Sequence, residues 1–250
     1  MSSSTWTPSA VASESKSCEI PLWRAVEAQH VVATRALVDS LAEQEILESL
    51  LEASKPPVPP RCVGLDYLLY TPFRYPPTSR DSRFRGYGDP GVWYGADVVR
   101  TSCAELGYWR WRFVSDSHGL ERLDAVPHTV FQAVARGKSV DLRHEPFARD
   151  RRLWANPDDY GASHALARAA RTADTPIIRY ASVRDPEHGG CGVVLDCTAF
   201  SGTGGVRRRQ SWFLTVDRQR ASWVRSGTRN PASYEFLFEL GTMSRPDEER

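Results

Sequence analysis

The chain lacks most of the short signatures that announce a chemistry. Its five cysteines, Cys18, Cys62, Cys103, Cys191 and Cys197, are odd in number and scattered. That argues against a disulfide framework, and no CxxC pair offers a zinc site. Cys191 and Cys197 flank a Val-rich stretch and read as small core side chains. Six histidines form neither an HxH nor an HxxxH pair, so no metal site is expected. No run of about 18 apolar residues is present, which predicts no membrane span. The Ser- and Thr-rich N-terminus lacks the basic and then apolar order of a secretory signal. A reducing cytoplasm is the expected compartment. Charge of one sign is also missing: the formal net charge is +1, which exerts no global pull on nucleic acid or membrane. Arg207-Arg208-Arg209 reads as a solvated loop. Gly202-Thr203-Gly204-Gly205 lacks the GKS or GKT ending of a phosphate-binding loop and does not fit GxGxxG, so a flexible surface loop is expected there. No GxSxG elbow surrounds Ser182 and no internal repeat is found.

What remains is ample core material: 41% hydrophobic residues, with eight Trp, nine Tyr and nine Phe in 250 residues, enough for one domain. Residues 1–20 read as a polar, disordered segment. Over 22–53 the spacing of Leu37, Leu41, Ile46, Leu47, Leu50 and Leu51 predicts one long helix or two shorter ones. Lys55-Pro56-Pro57-Val58-Pro59-Pro60 ends it, because proline lacks an amide donor and restricts its predecessor. The organisation read from this is a helical arm and Pro-rich connector over 21–60, a catalytic domain over 61–240 and a polar tail over 241–250. Within the domain, 91–96 predicts a short buried strand opened by Asp89-Pro90-Gly91. Residues 101–113 predict a helix with Asp97 or Thr101 as its cap, 128–145 mixed strand and loop, and 157–173 a helix. Strands are expected at 175–183, 191–197 and 211–216, the first two joined as a hairpin through Gly189-Gly190. Strands and helices without regular βαβ alternation predict an α+β fold.

Four residue types carry the candidate chemistry. Arg83, with Arg74 and Arg85 nearby, offers guanidinium groups that grip phosphate bidentately or serve as surface charges. Glu105 lies in a largely uncharged stretch, where a carboxylate is costly unless paired or catalytic. Tyr94, in an apolar strand, is a core tyrosine or a ring for a planar heterocycle. Ser182, beside Arg184, is placed to exchange a hydrogen bond with a ligand.

In order and spacing, Arg83-Phe84, Gly91-Val92-Trp93-Tyr94, Ala104-Glu105 and Ser182-Val183-Arg184 resemble the RES-domain family, the toxin half of a bacterial toxin–antitoxin system. The resemblance covers roughly residues 65–200, and Leu22-Trp23-Arg24-Ala25-Val26-Glu27-Ala28-Gln29-His30 is similar to the helical extension of one subgroup. It implies an ADP-ribosyltransferase-like mixed β core with flanking helices. It further implies destruction of NAD by phosphorolysis or hydrolysis of the nicotinamide–ribose bond. NAD is then a substrate rather than a cofactor, phosphate a candidate co-substrate, and no metal is needed. Glu105, Arg83 and Ser182 become the expected catalytic group, with Tyr94, Arg74, Arg85 and Arg184 binding substrate. Transfer of ADP-ribose to a protein, or a non-catalytic nucleotide- or protein-binding module, are the alternatives. The resemblance also implies a small helical, DNA-binding antitoxin as partner, with no direct nucleic-acid or membrane contact by this chain. The arm at 22–53 is left open between antitoxin contact, self-association as a homodimer and packing on its own domain.

Overall fold

The segment Lys16–Glu27 is a strand, β1, not the start of a helix. Its alternation is legible: Cys18, Ile20 and Leu22 point one way while Ser17, Glu19 and Pro21 lie exposed, the period of two that a half-buried strand requires. Among the described residues of 22–53 the helical spacing belongs to α2 (Leu41–Ser54), capped by Ser40, whose hydroxyl accepts from the Glu43 amide. The structure, a computed structural model, describes residues 6–28, 38–75, 81–227, 229 and 231–239. Leu37 and the tail at 241–250 lie outside the described residues. The expected disorder over 1–20 is also corrected for its described residues, 6–20. α1 (Pro8–Glu14) is capped by Thr7, buries Val11 completely, and is preceded by Trp6, which is 5% exposed and stacks on Phe147.

The remaining elements are α3 (Tyr67–Arg74), β2 (Trp93–Ala96), α4 (Val99–Asp116), β3 (Arg122–Asp141), α5 (Arg151–Trp154), α6 (Gly161–Thr172), β4 (Ile177–Ala181), β5 (Gly190–Val194), β6 (Val206–Asp217), β7 (Arg220–Arg225) and β8 (Ser233–Leu237). The result is the expected mixed α+β architecture. Sheet order is β1-β2-β5-β4-β3-β6-β7-β8, and β1 also pairs with β3. That extra pairing closes β1, β2, β5, β4 and β3 into a ring, from which β6, β7 and β8 extend as an antiparallel meander. β1 runs against β3 over twelve consecutive pairs, Lys16↔Ser139 to Glu27↔His128. The only parallel pairing among the described strands is β3 with β4, over Ser139↔Ile177 to Asp141↔Arg179. The 128–145 segment is thus mostly one long strand, and the 175–183 and 191–197 strands form the expected antiparallel hairpin.

Three apolar clusters hold these layers. Leu22, Trp93, Phe131, Ile177 and Phe200 fill one side of the ring. Phe84, Val140, Leu166, Tyr180 and Val193 lie beneath α6. Trp111, Trp212, Trp223 and Phe236 pack α4 onto the meander. Each such fully buried large side chain contributes roughly 1.5–3 kcal/mol.

Three local expectations are overturned. Cys62 and Cys197 are joined in a disulfide, so Cys197 is not a free core thiol; the odd count hid one bridge of high sequence separation. The 207–209 run lies in β6 rather than in a loop: Arg207 donates to the Thr203 carbonyl at 2.5 Å and Arg209 to Asp66 at 2.8 Å. Neither Asp97 nor Thr101 caps α4, which begins after Val98 with no side-chain cap. Asp97 instead accepts two bonds from Arg179 Nη2 at 2.6 and 2.7 Å. The Gly189-Gly190 pair is required by closeness. A Cβ at Gly189 would sit 2.1 Å from Thr101 Oγ1, and one at Gly190 would sit 2.0 Å from Asp97 Oδ2. The hairpin therefore presses directly on the start of α4.

Candidate active site

That contact sets the position of Ser182, just beyond β4, against Glu105, one turn past Thr101 on α4. Ser182 is fully buried and its hydroxyl is fully committed. Oγ accepts from the amides of Arg184 (3.1 Å) and Asp185 (2.9 Å) and donates to Glu105 Oε1 at 2.5 Å. With both lone pairs taken, the hydrogen can only point at the carboxylate. Asp185, 1% exposed, fastens the same turn to α4. Its carboxylate accepts from Thr101 Oγ1 at 2.7 Å and pairs with Arg100.

Glu105 opens onto a cavity of about 210 Å³. Arg24 and Ala25 of β1, Ser82, Arg83, Tyr94, Ser102, Trp109, Tyr160, Tyr180, Arg184 and Cys191 contribute to its wall. Burial pushes the Glu105 carboxyl above its usual range. The Ser182 hydrogen bond and the Arg83 and Arg184 charges oppose that rise, and Asp185 adds to it. One carboxylate thus faces three guanidinium groups, a combination suited to an anionic ligand on which positive charge develops.

The three arginines are not equivalent. Arg83 donates from Nη1 to the carbonyls of Trp154 (2.6 Å) and Asn156 (2.9 Å) and lies 4.9 Å from the Tyr160 ring centre. Arg184 donates from Nη2 to the Pro157 carbonyl at 2.7 Å and to Tyr160 Oη at 3.2 Å, and stacks on Tyr108 at 3.8 Å. Arg24 is buried enough that desolvation lowers its pKa to about 10, which leaves it charged near neutrality. It donates from Nη1 to the Tyr94 carbonyl at 3.0 Å, while its Nε is buried without a partner. Tyr94 lines the cavity with its hydroxyl already engaged: it accepts from the Phe84 amide at 3.0 Å and shares a 2.9 Å bond with Ser82 Oγ. Burial pushes its pKa up to about 12, so it stays a neutral phenol that fixes the Arg83 loop.

The structure therefore brings Arg83, Tyr94, Glu105, Ser182 and Arg184 together. It does not bring Arg74 or Arg85 to the cavity wall. Arg74 ties α3 to α2 by bonds to Glu52 and the Pro56 carbonyl. Arg85 lies outside the wall with Nε and Nη2 unpartnered. Arg24, Trp109, Tyr160 and Asp185 were not anticipated. Arg24 did leave a signal: it is the one charge in the row Cys18, Ile20, Leu22, Arg24, Val26 that faces one side of β1. Trp109 follows Glu105 by four residues, the spacing of neighbours on one helix face. Tyr160 and Asp185 carry no such mark.

Fold and site define an α+β protein with a single-carboxylate, arginine-walled pocket. The RES domain family model matches residues 58–217, more than half of the chain, and the chain belongs to the RES-domain family. No curated protein matches it. Among solved structures it is similar to a chain of the crystal structure of the M. tuberculosis MbcT–MbcA toxin–antitoxin complex. The two are 13% identical, with a TM-score of 0.47 over 83% of this chain and 91% of that chain.

Proposed function

We propose that this protein is a toxin that cleaves the nicotinamide–ribose bond of NAD, with phosphate or water as acceptor. The observation that carries the reading is the half-buried Glu105 carboxylate, held by Ser182 and facing Arg24, Arg83 and Arg184 across one cavity. Family membership supports it, since RES domains resemble NAD-consuming toxins as described above. As the C1′–N bond breaks, its electron pair passes to the pyridinium nitrogen, releasing neutral nicotinamide and leaving cationic charge on the ribose. The Glu105 carboxylate stabilises that cation through space and has one oxygen free to hold a ribose hydroxyl. An oxygen of phosphate or water then bonds to C1′, giving ADP-ribose 1″-phosphate or, with loss of a proton, ADP-ribose. Arg24 has the spare buried donor for a phosphate oxygen, while Arg83 and Arg184 supply charge from positions fixed by backbone carbonyls. Ser182 serves Glu105 rather than the ligand. Such an activity needs restraint in its host, and the family resemblance supplies a cognate antitoxin as the restraining partner. No helix among the described residues is long and apolar enough to cross a membrane, and the expected site of action is the cytoplasm.

The test is incubation of purified protein with NAD, with and without phosphate, and chromatography of the products. Nicotinamide release that disappears in Glu105→Gln is expected. An unchanged rate in that variant, or no release by the wild type, overturns the proposal. A mass increase on a protein would reveal transfer to a protein acceptor instead.

A further inference from the structure

The cavity is small for a dinucleotide. Pockets that swallow a drug-sized ligand run to about 300–1,000 Å³, and about 150 Å³ houses a benzene ring. The 210 Å³ here therefore takes a pyridine carboxamide and part of its ribose, and the other nucleoside lies beyond the mouth. At that mouth stands Trp109, 46% exposed yet part of the cavity wall. It is held edge-on against Tyr108, with ring centres 5.4 Å apart at 80°. The support is itself held: Arg184 lies over Tyr108 at 3.8 Å and bonds Tyr160 Oη. A large indole kept half in water, on a ring that itself carries a guanidinium, suits a planar base that arrives already tethered to a phosphate.

Resting on the reading of the site as an NAD pocket, we propose that Trp109 is the stacking platform for the purine of the substrate. It thereby selects dinucleotides over mononucleotides. Stacking on an indole reads a π-face rather than base edges, so the guanine analogue of NAD is accepted nearly as well as NAD itself.

Kinetics of wild type, Trp109→Ala and Trp109→Phe with NAD and with nicotinamide mononucleotide test this, since the mononucleotide has no purine. In Trp109→Ala the ratio of the NAD KM to the mononucleotide KM is expected to rise roughly ten- to fiftyfold, the range that loss of one base stack produces. Trp109→Phe is expected to restore most of it. A ratio within twofold of wild type overturns the inference, as does an equal rise for both substrates. Binding of AMP, measured calorimetrically without turnover, separates this from failure of the NAD reading. AMP affinity that drops about tenfold in Trp109→Ala supports the platform even if no NAD is cleaved. AMP affinity that is unchanged refutes it even if NAD cleavage is confirmed.

Discussion

Replacing Ser182 by Ala removes one oxygen and strands three groups. Two amides, the part-buried one of Arg184 and the buried one of Asp185, lose their acceptor, and Glu105 loses the donor that favours its charge. Each unsatisfied buried amide costs about 1–3 kcal/mol and a hydrogen bond to a charged group is worth about 1.5–3 kcal/mol. Because the three share one centre and relax together, the losses do not add in full. A net loss of about 3–5 kcal/mol is expected, a large part of the roughly 5–15 kcal/mol that holds a domain together. At 2–4 °C per kcal/mol for a chain of this size, the Tm falls by roughly 6–20 °C. The charge adds a second reading. The Ser182 bond lowers the Glu105 pKa, so its removal raises that pKa further. If the ionised carboxylate does the chemistry, the acidic limb of the pH–rate profile moves to higher pH. The stability loss shrinks in acid, where Glu105 is protonated in both proteins. Thermal unfolding from pH 4 to 9, with NAD cleavage over the same range, measures both. A Tm within about 2 °C of wild type together with an unmoved limb would refute the assignment of this hydroxyl to Glu105.

Glu105→Gln is expected to abolish cleavage and to raise the Tm near neutrality. The folded carboxyl has a raised pKa, so wild type loses stability as pH climbs through and beyond the ordinary carboxylate range, and the gain in the variant vanishes as pH falls toward that range; calorimetry at three pH values checks the sign. Leu22→Ala is expected to cost about 2–5 kcal/mol, because Leu22 is fully buried in a strand of the ring; a loss below about 1 kcal/mol in urea unfolding would return β1 to a detachable arm. Gly95→Ala places a Cβ 2.5 Å from the Trp93 ring and 2.9 Å from Leu22 Cβ, and is expected to cost about 1–3 kcal/mol by overpacking. A chemical denaturation midpoint equal to that of wild type would show that this wall of the cavity yields.

Local patterns that obey a single periodicity were legible. Residues 99–116 carry helical spacing, the 177–194 hairpin has β-branched strands around a Gly-Gly turn, and both appear where expected. Arg83, Tyr94, Glu105 and Ser182 were found through spacing that resembles a family; the first three line one cavity, and Ser182 stands behind its wall, bonded to Glu105. What failed has a common cause in long-range pairing. Strand β1 was absorbed into the helical period of α2 because a strand in a ring is covered on both faces at its end. Beyond the alternating Ser17–Leu22, Trp23 and Ala25 are buried as well as Leu22, which blurs the alternation in the half of the strand that enters the 22–53 window. The Cys62–Cys197 bridge joins residues 135 apart in sequence, a distance no local rule spans.

The consequence for the site is specific. Arg24 lies on β1, outside the matched residues 58–217, and it is the cavity-facing arginine whose buried Nε lacks a partner. Arg83 and Arg184 are tied to backbone carbonyls and an aromatic ring, so their positions are set before any ligand arrives. Arg24 is held by one bond, to the Tyr94 carbonyl, and by the Trp93 ring 5.2 Å away. A buried guanidinium with a free donor carries an uncompensated desolvation cost, which an incoming oxyanion relieves. Arg24→Gln should therefore stabilise the ligand-free fold, or leave it unchanged, while weakening anion binding, whereas Arg83→Gln should weaken both. If Arg24→Gln unfolds the protein and Arg83→Gln does not, the division between a ligand-facing and a framework arginine is wrong.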